Sequence, residues 1–487
     1  MAIDSEHPEY TTRKAQWSKL RDCNEGQEAV HAAGVKYLPK LSGQSDAEYK
    51  AYLNRALFYG ATARTIDGLT GMVFRKAPVI EVPAGLVDMT NDVTLDGLDL
   101  TGFAEEVVED VVEVGRCGIL VDHPPAPMGA TQAQAEAMNI RPFLKHYSAE
   151  SIFNWKTASR NNALVLTQVR LRECAEIAGT NEFNSSERKQ IRILDLNDLG
   201  QYRQRVFVEK KVIGSDGEKW ELLPNSEVIP LKNGAPLSFI PFYFVGVKNS
   251  LPDAEKPPLI DLANANLSHY VSTADLEHGA HFTGLPTAVI TGHSDEITDG
   301  VPAPEYRIGS ATAWVFPNEN TNVKYLEFEG KGLDSLETRV QKKEEYMAAL
   351  GARMLAPEKK AAEAADTANI HRSGETSVLA SLAASVSQTI EDALRFMAEW
   401  AGMSGTVTFK LNSDFSAVKM SAQELTALFQ TYQGGGMAFA DFLWNLKKGE
   451  IIQEERTEDE IRSEIETANP FAGQGDGGMG GINDQVA

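Results

Sequence analysis

The chain has 487 residues, with 46 Lys and Arg against 69 Asp and Glu, and its formal net charge is −23. Hydrophobic residues make up 42% and glycines number 39, the apolar share of an ordinary globular chain, which excludes wholesale disorder. The acidity argues against a protein that coats nucleic acid, because such proteins neutralise phosphates with clustered Lys and Arg. It does not exclude one that lets DNA pass without gripping it.

In chain order, the stretch from Ala2 to Arg75 reads as helical. Asp46–Leu69 repeats apolar residues at Tyr49, Leu53, Ala56, Leu57 and Ile66, which predicts one helix, with Ser45 and Asp46 capping its start and Gly68 and Gly71 punctuating its end. A Pro-containing connector, Lys76–Gly85, follows. Phe103–Gly115 predicts a second helix, with Val107, Val108, Val111 and Val112 on one side, running directly into the strand CGILVDHPPAP. From Arg141 to Val247 the period changes to two, with turn residues at Asn161-Asn162, Gly200 and Gly214–Gly217, and the expectation is an antiparallel sheet.

After Pro257-Pro258, Leu259–Phe282 lacks Gly and Pro until Gly279 and predicts a helix of roughly 36 Å. Its apolar stripe is thin (Ile260, Leu267, Val271, Ala274), so it is expected to bridge solvent or to pack against copies of itself. A strand-rich insert spans Leu285–Gly332, and Leu333–Leu350 is a further helix. Then come an Ala-rich charged stretch, Ala352–Gly374, and a helix striped by Leu379, Leu382, Val386, Ile390, Leu394 and Met397. A strand at Thr406–Leu411 and two acidic helices, Ser421–Gln433 and Ala438–Thr467, precede a Gly-rich terminus expected to be disordered.

Catalytic signatures are missing from the sequence. It has no GxxxxGK[ST], GxSxG or HExxH, and the GxGxxG match at Gly473, Gly475 and Gly478 follows no strand and opens no helix. Glu105/Glu106 and Glu454/Glu455 point to different helix sides, as solvated faces do. Cys23, Cys117 and Cys174 are widely spaced and read as reduced thiols, with no cofactor or metal set implied. His269, His278 and His281, with Asp275 and Glu277 nearby, are either ligands of a metal-dependent hydrolase or polar contacts between neighbouring helices. Arg353, Lys359, Lys360, His371 and Arg372 are either a solvated surface paired with Glu358 and Glu363 or a contact for nucleic acid. The longest apolar run is far below the roughly 18 residues of a membrane span, and MAIDSEHPEY lacks a signal peptide's basic flank and apolar segment, so a soluble, unsecreted protein is expected.

Five passages carry a family resemblance: Tyr37–Lys76, Gly115–Pro124 (GRCGILVDHP), Arg141–Lys156 (RPFLKHYSAESIFNWK), Leu259–Gly292, and MAALGARMLAP with ETSVLASLAASV after it. In this order they resemble the portal, or head–tail connector, proteins of tailed double-stranded DNA bacteriophages, over most of the chain up to about Gly402. The resemblance implies an α+β portal fold assembled as a ring, with an α/β wing, a two-helix stem, a small β-containing clip, a tunnel loop and a helical crown. It assigns 1–256 to the N-terminal helices and β-rich wing, 257–283 and 333–351 to the stem helices, and 284–332 to the clip. It assigns 352–376 to the tunnel loop, 377–420 to the wing helix and strand, 421–468 to the crown and 469–487 to a disordered tail.

It further implies a non-enzymatic dodecamer at one capsid vertex of the virion, assembled in the host cytoplasm, through which the genome is packaged and ejected. Its partners would be viral double-stranded DNA held without sequence preference, the terminase large subunit, head–tail adaptor or tail proteins, and the major capsid or scaffolding protein, with no membrane. Arg353, Lys359, Lys360, His371 and Arg372 would then face the DNA channel, and Ile260, Leu267, Val271 and Ala274 would pack stem against stem. A capsid or scaffold-like protein that assembles without an axial channel is a second alternative.

Overall fold

The computed structural model describes residues 2–125, 134, 137–178, 183–211, 218–283, 287–291, 321–326, 331–352, 377–413, 415, 422–449, 451–452 and 456–468. The chain divides into two compact units, Met1–Asp414 and Phe415–Ala487.

The first unit opens with helix α1 (Pro8–Glu25), which has Pro at its first turn and buries Tyr10, Trp17, Leu20 and Cys23. Helix α2 spans Gln27–Ala33 and α3 spans Asp46–Arg55. Ser45 caps α3 in a reciprocal box, its Oγ accepting from the Glu48 amide while Glu48 Oε2 accepts from the Ser45 amide at 2.8 Å. The single helix expected over Asp46–Leu69 is in fact two, because the chain extends at Ala56 and resumes as α4 (Ala61–Val73). Partners from α2 hold the break: His31 Nε2 meets the Ala56 carbonyl at 2.9 Å, and Gln27 Oε1 accepts from the Phe58 amide at 3.2 Å. The following connector carries a short strand, β1 (Val79–Glu81), before α5 (Ala84–Thr90).

Helix α6 (Leu100–Val114) is capped by Asp99, whose Oδ1 accepts from the Gly102 amide at 2.9 Å, and it ends at Gly115 in the left-handed region, φ 82°. Phe103, Val107, Val108, Val111 and Val112 are all buried. Each stabilises the fold by about 1.5–3 kcal/mol relative to exposure. The chain leaves Gly115 directly into β2 (Arg116–Asp122), the centre of a three-stranded antiparallel sheet between β3 (Phe143–Ser148) and β11 (Phe242–Gly246).

Between those edges lies the expected period-two region. It is an antiparallel meander of β4 (Ile152–Arg160), β5 (Ala163–Ala178), β6 (Ser185–Leu196), β7 (Tyr202–Lys211) and β8 (Glu218–Leu222). A small pair, β9 (Leu231–Lys232) and β10 (Ala235–Pro236), precedes β11. Helix α7 (Ile260–Thr283) leads to β12 (Thr287–Thr291), which pairs with β13 (Asn322–Leu326), and α8 (Lys331–Ala352) returns. The rest of the expected clip lies outside the described residues. Helix α9 (Val378–Trp400), capped by Ser377, packs its buried stripe on α6, β2 and β11 and on β14 (Thr408–Lys410), which pairs with β1.

The second unit contains α10 (Ala422–Gln433), α11 (Phe439–Lys448) and α12 (Glu458–Ala468). The segment expected as one helix over Ala438–Thr467 therefore holds two, the first ending at Gly449. Residues 469–487 lie outside the described residues.

Candidate functional site

Helices α7 and α8 run antiparallel against each other. Lys343 on α8 donates to the Ser268 carbonyl at 2.7 Å and to the Ser268 and Ser272 hydroxyls at 2.8 and 2.7 Å. One turn from the far end of α7, Gly279 approaches so near α8 that an added Cβ would lie 2.8 Å from Leu333 Cδ2. The same antiparallel sense continues in the β12–β13 pair, where Thr287 opposes Leu326 and Thr291 opposes Asn322.

Helix α7 is not solvated all round, because one face is covered within the subunit. Ile260, Leu267 and Ala274 are buried within the chain and Val271 is half-buried, because α1, α3 and α4 cover this face. The stripe assigned to stem-on-stem packing is thus occupied from inside the subunit. The polar residues that made the helix look solvated have internal partners. Asn266, fully buried, donates from Nδ2 to the Tyr59 carbonyl at 2.7 Å and accepts from Thr62. Asp275 accepts from the Tyr52 hydroxyl at 2.6 Å, and Asn264 accepts from Lys19 at 2.7 Å.

The histidine trio does not gather. His269 is 3% exposed, with Nε2 3.2 Å from Glu344 Oε1 and Nδ1 3.4 Å from the Thr273 hydroxyl. Burial holds its imidazole below the usual pKa, against the upward pull of Glu344. His278 packs edge-on to Tyr52, with ring centroids 5.1 Å apart. Among the described residues, His269, His278 and His281 form no group whose ligand atoms could meet on one ion. His269 and His278 thus make contacts to α8 and α3, the other half of the expectation, and the hydrolase reading is not favoured.

Helix α8 is the more open partner. Among its described side chains Met347 alone is buried, and Tyr346 is 51% exposed. Arg353, Lys359, Lys360, His371 and Arg372 lie outside the described residues.

One constellation escaped the sequence. Asp110 on α6, Cys117 on β2 and His146 on β3 bring one ligand atom each within 4.8 Å of one another. No local spacing signals it, because a helix and two neighbouring strands supply one residue apiece.

No helix among the described residues is long and apolar enough to cross a membrane. Residues 258–401 match a family described as a domain of unknown function (DUF4055), a region running from the start of α7 through the end of α9. No curated protein matches. Among solved structures, the chain is similar to one described as the neck of an empty GTA particle computed with C6 symmetry. That likeness has 13% identity and a TM-score of 0.37, and covers 85% of this chain and 95% of that one. A second, the neck of a native GTA particle computed with C12 symmetry, has 12% identity and a TM-score of 0.37, covering 80% and 89%. At these scores neither likeness fixes the fold or the function of this chain.

Proposed function

We propose that this chain is a phage portal protein, a non-enzymatic subunit of a ring at one capsid vertex. In this reading the ring is a dodecamer. Its axial channel passes double-stranded DNA during packaging and ejection, and its faces dock terminase, head–tail adaptor or tail proteins, and capsid or scaffolding protein.

The observation that carries the reading is the mid-chain pair of long antiparallel helices, 24 and 22 residues, with a strand pair between them in sequence. This is the order that a stem, a clip and a returning stem require, and it falls on the passages that carry the resemblance. Support comes also from α8, whose exposed length is more than a lone subunit gains by ordering. The net charge of −23 suits a channel through which phosphates slide.

Electron microscopy of the purified full-length protein tests the proposal. Closed rings with a central hole are expected. A stable monomer of about 53 kDa by light scattering, at every salt and protein concentration tried, would overturn it.

A further inference from the structure

We propose that Asp110, Cys117 and His146 form a binding site for a single divalent transition-metal ion of the zinc class. The strand register sets two of the donors. Cys117 opposes Ser148 and Ile119 opposes His146 across β2 and β3, so Cys117 and His146 lie on one face of the sheet, two positions apart. Helix α6 packs against these strands and brings Asp110 to the same place.

The three groups are sulfur, imidazole nitrogen and carboxylate oxygen, the donors zinc takes at about 2.3, 2.0–2.1 and 2.0–2.2 Å. His146 Nε2 already stands 3.0 Å from Asp110 Oδ2. Cys117 is wholly buried and Asp110 is 6% exposed, so neither is a casual surface donor.

Two observations point to a cation here beyond the presence of ligand types. Asp110 divides its oxygens: Oδ1 accepts from Arg21, while the buried Oδ2 faces His146 Nε2 at 3.0 Å and meets no second donor. In addition, the charges do not balance. The Arg21 guanidinium faces the carboxylates of Asp110 and Glu150 and also that of Glu113, whose pKa burial raises to about 7, so that it holds only part of a charge at neutral pH. A divalent ion bound to Oδ2, Nε2 and the Cys117 thiolate, with the thiol proton released to solvent, would offset the surplus. Arg21 would stay on Oδ1 as the outer partner that orients the carboxylate. The ion would tie α6 to β2 and β3 at the base of the core, and three protein donors would leave a fourth position for water.

Cobalt(II) is the probe, added to full-length protein that has been stripped with a chelator and kept in a non-thiol reductant. The expected result is one equivalent bound per chain, with thiolate-to-cobalt charge-transfer absorption that zinc abolishes. Cys117→Ser and His146→Gln should each lose the band and weaken cobalt binding by more than the roughly 10–100-fold that loss of an outer partner costs. Cys174→Ser, at an exposed thiol, should keep it. If Cys117→Ser does not fold, the half-buried His146 still gives a readable variant. Folded protein that shows no band at saturating cobalt overturns the proposal, as does a band that survives Cys117→Ser or disappears with Cys174→Ser. The cluster would then be a polar contact between His146 and Asp110 with Cys117 beside it. Rings and monomers give the same readout, so this result stands apart from the portal reading.

Discussion

Asn266 caps a helix that its own sequence leaves uncapped. Its Oδ1 accepts from both the amide and the hydroxyl of Thr62, at 3.1 and 2.9 Å. Gly60 stands at the N-cap of α4 and has no side chain to offer, so the orphan amide of the first turn is satisfied from α7, about two hundred residues away in sequence. The Asn266 amide group also holds the Tyr59 carbonyl, which fastens the turn before the helix. Both Asn266 and Thr62 are fully buried. Asn266→Ala is expected to destabilise the fold by about 1–3 kcal/mol, the cost of buried polar groups left without partners. A shift in denaturation midpoint worth less than about 0.5 kcal/mol, the scale of an ordinary surface change, would show that water replaces the cap.

Gly118 lies under an aromatic ring in the middle of β2. A Cβ there would sit 2.3 Å from Phe242 Cζ and 2.9 Å from Ile152 Cδ1. The strand has no space for any other residue, because Phe242 on the neighbouring strand and Ile152 at the start of β4 close over it. Gly118→Val should therefore lose about 1–3 kcal/mol or more through overpacking, in spite of valine's better strand propensity. Thermal unfolding of the variant checks this, and an unchanged melting temperature would mean that the ring has room to move aside.

Glu173 predicts the acid limb of the stability curve. Burial alone would raise its pKa. Arg192 and Lys145 outweigh that, each at 3.0 Å, and the Tyr147 hydroxyl and Gln190 amide add donors at 2.6 and 2.8 Å, bringing the pKa to about 2. The folded value lies below the unfolded one, so the contribution is fully present above about pH 4.5 and is lost as pH falls through about 2. Its size is on the order of 3 kcal/mol. Glu173→Gln should be less stable at neutral pH and should flatten the fall between pH 5 and 2. Parallel stability curves for parent and variant would assign the acid sensitivity to other carboxylates.

The parts of this fold legible in the sequence are those written in neighbouring residues. Ser45 and Glu48 mark the start of α3, Gly115 stops α6, and the long β5 is read from Val165, Val169 and Leu171 on one face against Gln168, Arg170 and Arg172 on the other. What stayed hidden depends on partners far along the chain. The break after Arg55 follows from His31 and Gln27, which no periodicity within Asp46–Leu69 records. Polarity made α7 look solvated, yet Asn266, His269 and Asp275 are polar because Thr62, Glu344 and Tyr52 meet them inside the subunit. The cluster of Asp110, Cys117 and His146 was hidden for the same reason, since it exists only once α6 lies on the sheet.

Lys359 and Lys360 bear on the proposed function directly. They lie outside the described residues, and their role rests on the resemblance, which places them in a tunnel loop between a stem helix and the wing helix. The chain has 46 basic residues against 69 acidic ones, so two adjacent lysines there would be a local exception in an acidic channel. Repeated around a ring, they would give a weak, salt-sensitive hold on passing phosphates. Replacing both with Ala should leave ring formation and melting temperature nearly unchanged, because exposed charges contribute roughly 0–1 kcal/mol per pair. Retention of packaged DNA should fall, and the difference from the parent should be greatest at low salt, where the lysine–phosphate contacts are least screened. Rings of the double variant that package and hold a full-length genome as the parent does, at every salt concentration, would show that these lysines form only a solvated surface.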